Sequence, residues 1–236
     1  MPQGLGLLTA QYRVAKYYLN YLRSAQKAYL QGSESAAYAL SLFDQEREQV
    51  KQLQAWLATH ARQDDRAAAL CSDFAKISPD LFKIRLLPQE YLSWLEVALE
   101  AARRLGDRRA EAAHLLDLYL AGGPINAFHF VIDYARQALS IAQQIDDQPL
   151  VARAIYLYGN ACHMGGKVEQ AQAYYEQSLA LYRTIGDQRG MAEVLNDLGG
   201  LAIFRRDNTA AQSYLEQSLA LYKKSWEAGG DCHLLP

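Results

Sequence analysis

Residues 171–182 (AQAYYEQSLALY) and 211–222 (AQSYLEQSLALY) agree at ten of twelve positions, 40 residues apart. No other feature constrains the chain as strongly, because a unit copied at fixed spacing must also pack against its own copies. The same offset aligns Leu105-Gly106-Asp107 with Ile145-Asp146-Asp147 and Ile185-Gly186-Asp187. Leu99, Leu139, Leu179 and Leu219 fall in register, as do Trp94, Tyr134, Tyr174 and Tyr214.

Each unit reads as two helices. Ala171, Tyr174, Tyr175, Ser178, Leu179 and Tyr182 recur at i, i+3, i+4, i+7, i+8 and i+11, the stripe of a helix with one buried face. Gly186 is placed to end that helix in a left-handed conformation, and Asp187 to cap the next. The following helix spans 191–204, with Leu195, Leu198, Leu201 and Ala202 facing inward. Gly165-Gly166 and Arg205-Arg206-Asp207-Asn208 read as the turns inside the units. A helical pair cannot bury its apolar face alone, so the units 107–146, 147–186 and 187–226 are expected to stack. Only 6 prolines occur in 236 residues, and no alternating β-branched run reads as a strand, so the expected fold is all-α.

Residues 1–88 read as helical but not repetitive. Helices are expected over 11–30, over 36–60 behind a Ser33-Glu34-Ser35 cap, and over 65–77, the last ending at Ser78-Pro79. A degenerate repeat ends near Leu105, because 89–105 matches the later second helices. The expected organisation is therefore 1–88 as an N-terminal helical region, 89–228 as repeats and 229–236 as a short tail.

The repeats resemble the tetratricopeptide repeat (TPR) family in its long, 40-residue form. The likeness rests on Leu198-Gly199 and Tyr158-Gly159 in the first helix, and on Ala171, Ala211, Ser178, Ser218, Ala138 and Ala98 in the second. Only small side chains at those points let the two helices approach closely. The resemblance covers roughly 89–226 and implies a right-handed α-α superhelix, a TPR-like solenoid. Tyr119 departs from it, standing where Gly159 and Gly199 stand, and Gly122-Gly123-Pro124 cuts that unit's first helix short. The order of features also resembles the helical sensor region of bacterial NB-ARC/STAND-type signal-transduction ATPases: a Tyr-rich helix, a charged helix closing on Trp56, degenerate helices, then long repeats.

Chemistry-bearing motifs are sparse. ACHMGGKV at 161–168 lacks the first glycine and the Ser/Thr of a phosphate-binding loop. The dipeptides Cys162-His163 and Cys232-His233 have no metal-ligand spacing, and three cysteines make no disulfide framework. Asp64-Asp65 and Asp146-Asp147 sit at helix boundaries, where capping explains them. Arg103, Arg104, Arg108 and Arg109 read as a solvated helix end. A net charge of −2 excludes bulk attraction to nucleic acid or anionic membrane, and no stretch is apolar enough to span a bilayer. No enzyme activity, cofactor or metal is expected, and the expected compartment is the cytoplasm.

The resemblance implies non-catalytic binding of a peptide or partner protein in a concave groove lined by the first helices. Carried over, the groove positions are Arg153, Tyr156, Asn160, His163 and Met164 in one unit, and Glu193, Asn196, Gly200, Ile203 and Phe204 in the next. Asn160 stands where the family often has an asparagine that bonds a ligand's backbone. The implied role is an interaction scaffold or sensor arm in bacterial signalling, with an ATPase module in the same or another chain as a candidate partner. The alternative is a small-molecule-sensing domain of a transcriptional regulator or STAND ATPase. A last apolar stripe, Leu215, Leu219, Tyr222 and Trp226, has no following helix in the sequence, and either self-association, most simply as a two-fold dimer, or excision from a longer array is expected there.

Overall fold

The computed structural model describes residues 3–31, 33–122 and 128–229. Eleven helices and no strand occur among them. In chain order they are α1 (Gln3–Tyr29), α2 (Ser33–His60), α3 (Asp65–Ile77), α4 (Pro79–Arg85), α5 (Pro88–Leu105), α6 (Arg108–Gly122), α7 (Phe128–Gln144), α8 (Gln148–Met164), α9 (Val168–Ile185), α10 (Gln188–Phe204) and α11 (Asn208–Gly229). They form two compact units, Met1–Ile125 and Asn126–Pro236. The division falls just past Gly122, where the glycines and proline were expected to interrupt a helix; residues 123–127 themselves lie outside the described set.

In the first unit, α1, α2 and α3 pack on one another, and α5, the first helix of repeat-like sequence, packs on α3 and α6. Asp64 ties two of these helices together. One carboxylate oxygen accepts from the Arg66 and Ala67 amides, capping α3, and the other accepts from the Tyr12 hydroxyl of α1 at 2.6 Å. The Tyr12 bond, foremost among several contacts, holds the Asp64 carboxyl below the usual range.

Helix α3 ends at Ile77 with Ser78 as its C-cap, as expected, but a further helix, α4, follows at once. Proline is compatible with the first helical position, where its missing N–H costs nothing, so Pro79 opens a new helix. That short helix delivers Leu81 and Phe82 fully buried. The Phe82 ring lies 5.9 Å from Phe43, 5.9 Å from Tyr91 and 5.3 Å from Trp94, so α4 supplies the hub of the aromatic core. The arginine cluster is also more engaged than a solvated helix end. Arg103 and Arg108 both contact the buried Glu111 carboxylate, at 3.0 and 2.6 Å, and Arg104 reaches Asp65 at 2.8 Å. His114 of α6 is wholly buried, with Nε2 2.9 Å from the Ser72 hydroxyl. Burial pushes its pKa down to about 4.

The second unit realises the repeat. Consecutive helices from α7 to α11 pack side by side, with the closest apposition inside the pairs α8–α9 and α10–α11. Its turns recur in register with one another and with the turn at Asp107 in the first unit. The amides of Asp107, Asp147 and Asp187 close onto the carbonyls of Ala102, Ala142 and Tyr182, and those of Lys167 and Asp207 close onto Cys162 and Ala202. Each is the six-to-one bond of a Schellman motif. Asp107, Asp147, Asp187 and Asp207 then cap the next helix, each accepting from the amide three residues on. Inside the pairs, Ser178 donates to the Ala152 carbonyl at 2.8 Å and Ser218 to the Ala192 carbonyl at 2.7 Å, the same bond one period apart. Leu195, Leu198, Leu201 and Ala202 are buried.

Candidate partner-binding face

The outward faces of α8 and α10 carry the groove residues named from sequence, in two rows 40 residues apart. Arg153 matches Glu193, Tyr156 matches Asn196, Asn160 matches Gly200, His163 matches Ile203 and Met164 matches Phe204. His163, Asn196 and Gly200 are exposed. Met164, Ile203 and Phe204 are 67%, 56% and 70% exposed, the most open large apolar side chains described in this unit. Arg153 and Glu193 are half-buried, and Glu193 pairs with Arg189 one turn earlier at 3.2 Å.

Tyr156 and Asn160 belong to an internal network. The Tyr156 hydroxyl donates to Asp197 of α10 at 2.8 Å, and the Tyr175 hydroxyl of α9 donates to the Asn160 side-chain oxygen at 2.7 Å. The rings of Tyr156 and Tyr175 lie 6.0 Å apart. Burial first, then the Asp197 carboxylate, raises the Tyr156 pKa, so the phenol stays protonated and remains a donor. Asn160 therefore has one lone pair already engaged, and removing its side chain takes that acceptor away from the Tyr175 hydroxyl.

Asp197 was not among the residues singled out from sequence. A signal for it existed: one period earlier the position is Leu157, fully buried, so a carboxylate there is out of pattern. It joins α8 to α10 by a polar bond at a position that is apolar one period earlier.

A separate surface is set by α11. Leu215, Leu219 and Tyr222 are 36%, 54% and 40% exposed. Their counterparts one period earlier, Tyr175, Leu179 and Tyr182, are 1%, 5% and 4% exposed, packed in a core that includes Val194, Leu195 and Leu198 of α10. The Trp226 side chain lies outside the described residues. Among the described residues no group of three His, Cys, Asp or Glu side chains is placed to hold a metal ion, and no helix is long and apolar enough to cross a membrane.

Stacked helical pairs, with an exposed face on α8 and on α10, define an α-solenoid repeat. Residues 132–184 and 166–224 each match the tetratricopeptide repeat family. Among solved structures, BtubC (BKLC) from P. vanneervenii is similar over 97% of this chain and 95% of its own, at 16% identity and a TM-score of 0.63. A P. anserina kinesin-light-chain-type protein of nearly identical TPR-like repeats matches over 92% and 96% at 16% identity and a TM-score of 0.53. The apo form of RapI matches over 92% and 90% at 10% identity and a TM-score of 0.54. At these identities the likeness is one of fold. No curated protein sequence matches the chain. TPR repeats generally serve as non-catalytic, protein-binding scaffolds.

Proposed function

We propose that the second unit captures an extended peptide or a partner-protein segment on the α8–α10 face. The observation that carries this reading is the row of exposed Met164, Ile203 and Phe204 beside polar groups, Arg153, His163, Glu193 and Asn196. Single exposed apolar residues are ordinary, but a row repeated at the period of the fold is what a binding face requires. The small-molecule alternative finds less support. The depression lined by Leu198, Leu201, Ala202 and Tyr214 holds about 160 Å³, and one in the first unit beside Arg62 and Arg104 about 190 Å³. Drug-sized ligands usually occupy roughly 300–1,000 Å³.

A regulatory role, as a cytoplasmic sensor arm in bacterial signalling acting with an ATPase, is part of the same proposal and rests on the order of the N-terminal helices. Association of two copies through α11 is a further part, resting on the uncovered stripe described above.

The test is retention of peptides from a random synthetic library by immobilised protein, compared with a Met164→Ala/Phe204→Ala variant. Selective retention, lost in the variant at unchanged melting temperature, is expected. Equal retention by both proteins would remove the face from consideration.

A further inference from the structure

Four glycines lie inside α8 and α10, and three have a steric reason. A Cβ on Gly159 would sit 2.5 Å from the Tyr175 ring, one on Gly190 would sit 2.5 Å from Tyr182, and one on Gly199 would sit 2.8 Å from Leu215. Gly200 is different. A Cβ there meets nothing within 4 Å, and the residue is exposed in the interior of α10. Glycine in such a place weakens a helix without any packing return.

The neighbours of that opening are of two kinds. Ile203 and Phe204 follow it by three and four residues, on the same face, and both are more than half exposed. Asp197 precedes it by three. Its carboxylate is half-buried, accepts from Tyr156 on one oxygen and weakly, at 3.4 Å, from the exposed Asn196 amide on the other, and has no ion pair among the described residues. An apolar wall thus stands on one side of bare backbone and an uncompensated negative charge on the other. One period earlier the same site is filled by Asn160, so the opening is particular to this repeat.

We propose that Gly200 is the seat for an apolar anchor side chain of a bound peptide, packed against Ile203 and Phe204, with a basic peptide residue close by meeting Asp197. Three helical residues span about 4.5 Å. An extended peptide advances about 3.3 Å per residue, which puts the basic residue one or two positions from the anchor. The inference rests on the α8–α10 reading above and adds to it the chemistry of the partner: apolar plus basic, rather than acidic or uniformly polar.

The probe is an oriented library of nine-residue synthetic peptides with a fixed central leucine, presented to the intact chain and to three variants. The parent protein is expected to enrich lysine or arginine one or two positions from the leucine. Gly200→Leu, which fills the seat from inside, is expected to lower retention at least tenfold with unchanged helix content. Asp197→Asn still accepts from Tyr156 and is expected to keep the leucine requirement while losing the basic preference. Gly200→Ala is expected to melt higher than the parent and bind less. If Gly200→Leu retains the same peptides to the same extent, the seat is refuted and the wider face stands. If the parent prefers the leucine library no more than one with central glycine, the seat is refuted; if it also retains nothing from the random library, the wider reading falls with it.

Discussion

Gly159 of α8 and Tyr175 of α9 touch so closely that the ring occupies the space a Cβ on residue 159 would need, 2.5 Å from Cδ1. This contact lets the two helices of the repeat approach, and Gly199 with Leu215 reproduces it one period later. Gly159→Ala is therefore expected to destabilise by about 1–3 kcal/mol through overpacking, despite alanine's better helix propensity. Gly200→Ala, on open surface, is expected to stabilise by up to about 1 kcal/mol. Circular-dichroism melts of the two variants decide the matter; shifts of the same sign would contradict the packing described.

The turns make a second prediction. Gly106 and Gly186 take positive φ values of 67° and 79°, and between them in the repeat register stands Asp146 at 53°; Gly166 at 73° is followed one period later by Arg206 at 60°. A left-handed conformation costs a side-chain-bearing residue roughly 1–2 kcal/mol, partly recovered in aspartate by local hydrogen bonding. Arg206→Gly should raise stability by about 0.5–1 kcal/mol and Asp146→Gly by less, while Gly186→Ala should lower it. Urea midpoints at constant slope provide the measurement.

His114 sets a pH dependence in the first unit. Its pKa is about 4 in the fold against an ordinary 6.5, with desolvation as the main cause. Asp117, Asp107 and Asp73 pull the value up, and Lys76 pushes it down. Below 6.5 the unfolded chain takes up a proton that the folded chain refuses, so stability falls as pH drops from 6.5 towards 4 and is flat above. A loss of about 1–2 kcal/mol between pH 7 and pH 5 is expected from this residue. Denaturant titrations of His114→Gln should show a correspondingly flatter profile; an unchanged profile would assign the acid sensitivity elsewhere.

For α11, the proposal of self-association predicts a concentration-dependent mass in light scattering that Leu219→Glu abolishes. The variant should remain helical, because Leu219 is 54% exposed. A parent chain that stays monomeric at high concentration would exclude the two-fold contact.

Much of the fold was legible in the sequence because it is built from local signals at a fixed interval. The N-caps at Asp147 and Asp187, the left-handed Gly186, the buried stripe of α9 and the small residues at 159, 171, 178 and 199 each act within a few residues or across one tight turn, and repetition at 40 residues removes ambiguity. Helix α4 was not legible, since Pro79 signals a stop and a start equally, and only the aromatic hub around Phe82 rewards the second. The candidate face was half legible. Register placed its residues in two rows, but burial and bonding depend on what each neighbouring helix presents. Tertiary contact alone turned Asn160 into Tyr175's acceptor and joined Tyr156 to Asp197 across 41 positions. It also separated two adjacent glycines: Gly199 faces Leu215 of the paired helix, while Gly200, 100° further round, faces nothing. Sequence spacing fixes the angle between them, and only the packing partner decides which one is closed.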